Sequence, residues 1–490
     1  MQSGPPPCGS GDFELVEPWT SVAGQYVLVC ERAWLSTLVD SLFFLGFGVG
    51  AAGFGHLSDA RGRRYALLAA LVSCSVFTLA SSAAFSLASY AALRALAGVS
   101  TGGIGVCAYV LAAEMIGSSM QGMTGAGQAI IFAVGEVTLS LTSLVLPSWR
   151  ALTAATGILA GVYAVLVTVA LVESPRWLIA HSRIAQASAT LRQMAIANRW
   201  HHSAPDDDDE LSGAIARALS SACCSLREDG GALEGAPEGA PGAALVAVGS
   251  AEDGASSSTV NGRAETKQHL QPACSGESSL LLLFRWPLRQ WLLPSLGAWT
   301  ACSLVYFGLS LSAADLGHNL HTSFALNSVI EIPAIMGGAY AIDHWGRRAT
   351  VVGALLAGGV ACIVCAVAPL LALAPSSATF VGLDTVELAA LLGKFAVSAA
   401  FALIFVHTSE AFPTTVCNAA VGLCSAVARV GSVAAPATLY LSNVAASAPK
   451  LVFGGASLLA GTWALTLPET LGRPRLATVD DVVRLLERQH

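Results

Sequence analysis

Six charged residues interrupt long apolar runs: Asp40, Arg94, Glu136, Glu331, Lys394 and Arg429. A charge in hydrocarbon is costly, so each marks a pathway, an internal pair or a structural anchor. Arg429 carries a planar fork that suits a carboxylate or sulfonate ligand, or an internal ion pair with Glu331 or Glu136. Arg94 and Lys394 each begin a stretch that ends in Glu114 or Glu410, as gating groups or as partners for a neighbouring helix. His407 is placed either to take up a proton or to pack and hydrogen-bond. Tyr306, Phe307, Trp299 and Phe401 offer one apolar cavity wall, or contacts to lipid and helices.

A second set of charges lies between the runs. Gly55-His56-Leu57-Ser58-Asp59-Ala60-Arg61-Gly62-Arg63-Arg64 separates two apolar stretches, and Asp343-His344-Trp345-Gly346-Arg347-Arg348 repeats its core far downstream. Glycine permits a tight turn, arginine prefers the cytoplasmic face, and the carboxylate sits beside helix ends. Two copies in matching places of two apolar halves are the signature of an internally duplicated transporter. The chain has no phosphate-cradling Gly-rich loop with Lys-Ser/Thr and no Ser/His/Asp, two-His metal or dyad arrangement, so no enzymatic chemistry, ATP use, metal or other cofactor is expected.

The elements that carry these groups follow from hydropathy. Of 490 residues, 54% are hydrophobic and 12% charged, with mean hydropathy +0.63. A soluble protein has about twice that charged share. Runs of about 20 apolar residues suffice to cross a bilayer. They are predicted near 33–57, 65–87, 89–113, 122–146 and 151–172, then near 288–310, 322–342, 349–373, 385–408, 414–440 and 449–467. The predicted fold is an all-α polytopic membrane protein with eleven spans, five in the N-terminal half and six in the C-terminal half. The expected organisation is an extracellular segment 1–32, a bundle 33–172, a cytoplasmic loop 173–287, a bundle 288–467 and a cytoplasmic tail 468–490. Arg61, Arg63, Arg64, Arg176, Arg183, Arg192, Arg199, Arg347, Arg348, Arg473 and Arg475 fall on one side. The other side holds little beyond Arg32, Arg150 and Lys450, which predicts an extracellular N-terminus and a cytoplasmic C-terminus.

Within the long loop, 176–199 has helical spacing, whereas 203–278 has an acidic run, Gly-Ala-Pro-Glu repeats and serines that cannot build a core. That stretch is expected to be a solvated linker, with a basic protein partner as the alternative. No basic tract points to nucleic acid. Of 12 cysteines, Cys74, Cys107, Cys302, Cys362, Cys365, Cys417 and Cys424 fall in apolar runs and are read as packing residues, while Cys8 and Cys30 are placed to pair. Gly102, Gly103, Gly105, Gly337 and Gly338 are expected to allow close helix contact.

Several stretches together resemble the organic ion (cation, anion and zwitterion) transporter family of the major facilitator superfamily. They are Val29-Cys30-Glu31-Arg32-Ala33-Trp34-Leu35, Ser41-Leu42-Phe43-Phe44-Leu45-Gly46, the two charged turns, and Glu173-Ser174-Pro175-Arg176-Trp177-Leu178. To these add Tyr306-Phe307-Gly308-Leu309-Ser310, Thr408-Ser409-Glu410-Ala411-Phe412-Pro413-Thr414, Ala428-Arg429-Val430-Gly431-Ser432 and Pro468-Glu469-Thr470-Leu471-Gly472. The resemblance implies two six-helix bundles and a large extracellular loop after the first helix. Residues 1–32 resemble the tail of that loop, so the chain is read as a divergent member lacking the first helix, either shortened or natively of eleven spans.

The resemblance also implies roles. Substrate-binding positions are Arg429, Glu331, Glu136, Tyr306, Phe307 and Lys394. Gating positions are Asp59, Arg63, Arg64, Glu114, Glu173 and Arg176 in one half, and Asp343, Arg347, Arg348, Glu410 and Glu469 in the other. These should form a cytoplasmic ion-pair lattice that holds the bundles together when the site faces outward and loosens when it faces inward. Arg429 stands where anion carriers of the family have Arg, which favours an organic anion. Against that, Ile335 replaces a Lys, and Asp40 and Glu136 replace amides. Ala60, Cys417 and Ser148 also depart from the pattern, and a non-transporting receptor or scaffold on the same fold is the alternative function. The expected partners are a small organic ion and the lipid bilayer.

Overall fold

The computed structural model describes residues 20–116, 121–181, 183–197, 279–312, 320–368, 385–472 and 479–487. The linker at 203–278, Cys8, Arg199, Arg473 and Arg475 lie outside the described residues. The first half contains α1 (Trp34–Arg61), α2 (Arg63–Ser82), α3 (Leu87–Met115), α4 (Gln121–Val145) and α5 (Trp149–Ala170), followed by short α6 (Pro175–Ala180) and α7 (Ile184–Ala197). The second contains α8 (Arg289–Leu311), α9 (Leu320–Val329), α10 (Glu331–Trp345), α11 (Arg347–Val367), α12 (Thr385–Ala411), α13 (Thr414–Leu439), α14 (Ala448–Ala464) and α15 (Val479–Glu487). Among the described residues the only extended pairing is one bridge, Thr20 to Ser148.

Among the described residues, ten helical segments are long and apolar enough to cross a membrane. The eleventh expected span, 449–467, is α14 with 17 residues, at the lower limit of about 17 for crossing. The expected continuous span 322–342 is divided between α9 and α10 at Ile330. Pro333 explains the division, because its nitrogen cannot donate to the Val329 carbonyl one turn back. Glu331 therefore sits beside a local break in mid-span.

The two halves repeat one packing pattern. In the first, α3 packs on α1 and α2, and α2 on α5; in the second, α12 packs on α10 and α11, and α11 on α14. Small residues set the closeness of α1 and α3. A Cβ at Gly46, Gly50, Gly98 or Gly102 would overlap the backbone oxygens of Ala95, Val99, Phe43 or Phe47. Such backbone-to-backbone approach supplies dispersion contact where lipid offers no hydrophobic drive. Of the other expected close-contact glycines, a Cβ at Gly103 would overlap the Phe54 ring and one at Gly338 would lie 3.1 Å from Leu403, whereas Gly105 and Gly337 have only ordinary contacts at 3.9 Å. The seven cysteines in apolar runs are free, and Cys30 is disulfide-bonded.

Candidate functional site

The charged turns form two equivalent elbows. Gly62 has φ 109° and ψ 153°, and Gly346 has φ 101° and ψ 157°, a left-handed conformation that glycine alone adopts without strain. Each glycine leaves the next helix without a side-chain cap, and a carboxylate from another segment takes that place. Glu173 accepts from the backbone N–H of Arg63 at 2.8 Å and Arg64 at 3.1 Å. Glu469 accepts from Arg347 at 2.7 Å, Arg348 at 3.1 Å and Ala349 at 3.4 Å. Burial raises the Glu469 pKa, and the backbone donors of Leu471, Arg347, Thr470 and Ala349 outweigh it, leaving the carboxyl below its ordinary value. Anionic side chains at helix starts are favoured by the orphan N–H groups and the helix dipole.

The arginine side chains repeat as well. Arg63 pairs with Asp59 at 2.5 Å and Glu114 at 3.0 Å; Arg347 pairs with Asp343 at 3.2 Å and Glu410 at 3.1 Å. Arg64 donates to the Thr168 carbonyl at 2.7 Å, and Arg348 to those of Leu465 and Leu467 at 3.4 and 3.3 Å. Thus Glu173 and Glu469 act as helix caps instead of ion-pair partners. Arg176 is exposed and joins no ion pair among the described residues. Every described elbow ion pair stays within its own half.

The halves meet at the end opposite the elbows. Ser41 on α1 donates to the Val433 carbonyl on α13 at 3.1 Å. One turn on, Phe44 faces Phe307 of α8 with centroids 4.8 Å apart. A Cβ at Gly48 would touch the Arg429 stem at 3.5 Å, and the guanidinium lies 4.3 Å from the Phe47 centroid. Beyond that level the same helix faces separate. A Cβ at Gly55 would reach only Val106 of its own half, and one at Gly422 would meet nothing within 4 Å. On the other side of the interface, Ser140 of α4 donates to the His321 carbonyl at 2.7 Å, and Ser143 contacts His321 Nδ1 at 2.6 Å. A cleft between the halves therefore opens toward the elbows and is closed at the far end.

A continuous line of side chains runs along the closed end. From Phe307 it passes to Tyr306, whose hydroxyl donates to Glu331 Oε2 at 2.9 Å. Glu331 Oε1 pairs with the Lys394 ammonium at 2.7 Å. Lys394 also donates to Ser310 Oγ at 2.6 Å and sits 3.5 Å above the Tyr306 ring. Lys394 is 0% exposed and Glu331 2%, so this pair is desolvated; Tyr306 fills Glu331 Oε2 and Ser310 binds Lys394, while Glu331 Oε1 has the ion pair but no hydrogen bond. Glu136 projects from α4 toward the same pair, with Ser328, Lys394 and Glu331 as its polar neighbours and Oε2 without a hydrogen-bond partner.

The alternative reading of Arg429, an ion pair with Glu331 or Glu136, is not seen among the described residues: Lys394 takes Glu331, and Arg429 stacks on Phe47. Arg94 lies over Phe43 in the first half, and no ion pair joins it to Asp40 among the described residues. Trp299 is a core residue that donates to Thr408 Oγ1 at 2.9 Å, and Phe401 packs on Tyr306. His407 is buried with Nε2 3.1 Å from the Pro468 carbonyl, a hydrogen-bonding role. The sequence assigned no role to Ser310, Ser328 or Phe44, although Ser310 follows Tyr306-Phe307 and the intramembrane charges Glu331 and Lys394 marked this level of the span.

A family profile described as "Sugar (and other) transporter" matches residues 17–218. A solute carrier family 22 member 15-like protein of Xenopus laevis is 30% identical over 466 residues, covering 95% of this chain and 82% of the relative. The chain belongs to solute carrier family 22, within the major facilitator superfamily. A Drosophila melanogaster protein named organic cation transporter protein is 28% identical over 476 residues, 97% of this chain and 76% of the relative. Among solved structures, the inward open conformation of the xylose transporter XylE from E. coli superposes with TM-score 0.65 at 16% identity, covering 95% of this chain and 92% of that one. This family 22 chain is thus a multi-pass membrane protein on a transporter fold.

Proposed function

We propose that this protein carries a small organic ion across the plasma membrane by alternating access, with 33–172 and 288–467 as the rocking bundles and the elbows on the cytoplasmic side. One observation carries the reading: the halves touch at one end and part at the other, with the charged and aromatic line at the closed end. In that arrangement the cleft faces inward, and reversal requires the Ser41–Val433 and Ser140–His321 contacts to open while the elbow ends approach. Family membership supports the transport class, and the arginine distribution supports an extracellular N-terminus and a cytoplasmic C-terminus.

Arg429, Phe307 and Glu136 are the groups we assign to substrate contact, with Tyr306, Glu331 and Lys394 holding the cavity wall. The expected preference for anions has no support in this balance, because Glu136 and Glu331 outnumber Lys394 and a single Arg429 stands apart on Phe47. Asp59, Arg63, Arg64 and Glu114, with Asp343, Arg347, Arg348 and Glu410, are assigned to the elbow that must move as a rigid unit. Uptake of labelled organic cations, anions and zwitterions into vesicles holding the purified chain tests the reading. Substrate-dependent uptake that falls at least about tenfold in Arg429→Ala is expected, a loss of about 1.4 kcal/mol of differential binding. Absence of uptake and exchange across the whole panel would replace it with the receptor alternative.

A further inference from the structure

Glu136, assigned above to substrate contact, stands at the junction of the two halves with one carboxylate oxygen that no hydrogen bond uses. We propose that Glu136 is the proton-binding residue of the transport cycle, taking a proton on Oε2 when the outer interface closes and releasing it when that interface opens. The inference rests on the alternating-access reading above and deepens it by naming the group whose protonation controls closure of the outer interface.

The α4 helix that carries Glu136 packs against α9, α10 and α12 of the other half, and against α3 of its own. From α10 it faces Glu331, from α12 Lys394, and through the second half's core the Tyr306 hydroxyl. From α9 it meets Ser328 and, toward the outer end, His321. Contact with α3 is through Gln128 and the Gly105 carbonyl, and α3 adds no charged group to the electrostatic neighbours of Glu136. Farther along α12, Glu387 lies toward the outer end, while His407 and Glu410 lie toward the elbow.

Lys394 makes its ion pair with Glu331 and not with Glu136. Its ammonium is engaged by Glu331 at 2.7 Å, Ser310 at 2.6 Å and the Tyr306 ring face at 3.5 Å. Closing the interface over an ionised Glu136 would bury two carboxylates against one ammonium, with one oxygen unbonded. A buried unpaired charge is among the costliest features a protein can hold. A proton on Oε2 restores neutrality and turns the orphan acceptor into a donor. A sodium ion fits worse, since it needs several free oxygens and would approach an ammonium that already occupies the cation position. When the halves part at this end, water reaches Glu136 and the proton returns to it.

Closure is read directly, without any substrate, by a cysteine pair. Ser41→Cys and Val433→Cys flank the outer interface, and their cross-linking by a short bifunctional thiol reagent reports how often it is closed. In the full-length chain in vesicles, acidification from about pH 8 to about pH 5 should raise the cross-linking extent, by up to about tenfold per pH unit where one proton controls closure. Measured cross-linking is corrected for thiolate fraction with a Ser41→Cys chain labelled by a monofunctional reagent. Glu136→Gln, a permanently neutral side chain, should cross-link at the acidic level at every pH, and Glu136→Asp should keep the response. His321→Asn should also keep it, because His321 is the other ionisable side chain that α4 meets on α9.

A flat wild-type profile overturns the proposal. So does an unchanged response in Glu136→Gln, a response lost in His321→Asn, or one that follows replacement of sodium at fixed pH. Should the Gln chain fail to assemble, loss of the response in Glu136→Asp overturns it equally. An empty uptake panel with intact pH-dependent cross-linking removes the organic-ion reading while leaving the proton site standing.

Discussion

Removing the Glu469 carboxylate should loosen the second elbow by an amount that follows from its bonds. It accepts from five backbone N–H groups: Arg347 at 2.7 Å, Thr470 at 2.9 Å, Arg348 and Leu471 at 3.1 Å, and Ala349 at 3.4 Å. Water can reach part of this site, so each lost bond costs well under its desolvated value. Glu469→Ala should therefore cost roughly 2–4 kcal/mol in total, and Glu469→Gln, which keeps one acceptor oxygen but loses the charge, about 1 kcal/mol.

The pH dependence has a fixed sign. Because the folded carboxyl lies below its ordinary value, its contribution is complete above the unfolded value of about 4.3 and is lost as pH falls through the folded one. The difference between wild type and Glu469→Gln should thus be constant near neutrality and shrink only below about pH 4. A Cβ at Gly346 would lie 2.6 Å from Glu469 Oε2, so Gly346→Ala should cost less in the Glu469→Ala background than in wild type. Thermal unfolding of the purified full-length chain in detergent, followed by tryptophan fluorescence, measures all four variants. Unfolding of Glu469→Ala at the temperature found for the exposed-site control Arg176→Ala would refute the capping argument.

Two further outcomes follow from the packing. Lys394→Met alone strands the Glu331 charge in the core and should cost about 3–5 kcal/mol, while Lys394→Met with Glu331→Gln should recover most of it; the same unfolding assay separates these. Gly50→Val forces a side chain into the Val99 backbone and should cost about 1–3 kcal/mol or prevent assembly, whereas Gly53→Ala, with nothing within 4 Å, should be close to neutral.

The sequence by itself determined the elements that local physics controls. Apolar runs of bilayer length dictate helices, the repeated Asp-Gly-Arg-Arg turns mark the elbows and the internal duplication, and the distribution of arginine ranks the two faces. Those signals need no knowledge of neighbours, because hydropathy and a left-handed glycine act within a few residues. Tertiary structure alone decided who pairs with whom. Arg429, Glu331, Glu136 and Lys394 were all legible as costly charges, yet their partners depend on helix rotation and crossing. Lys394 and Glu331 come from α12 and α10, which pack together, so they meet within one half. Arg429 instead faces α1 across the interface and finds an aromatic ring. Likewise Glu173 and Glu469 read as gate charges, but the direction in which the chain leaves α5 and α14 turns them onto backbone N–H groups. The end at which the halves touch is a property of their rigid-body arrangement, and no local stretch encodes it.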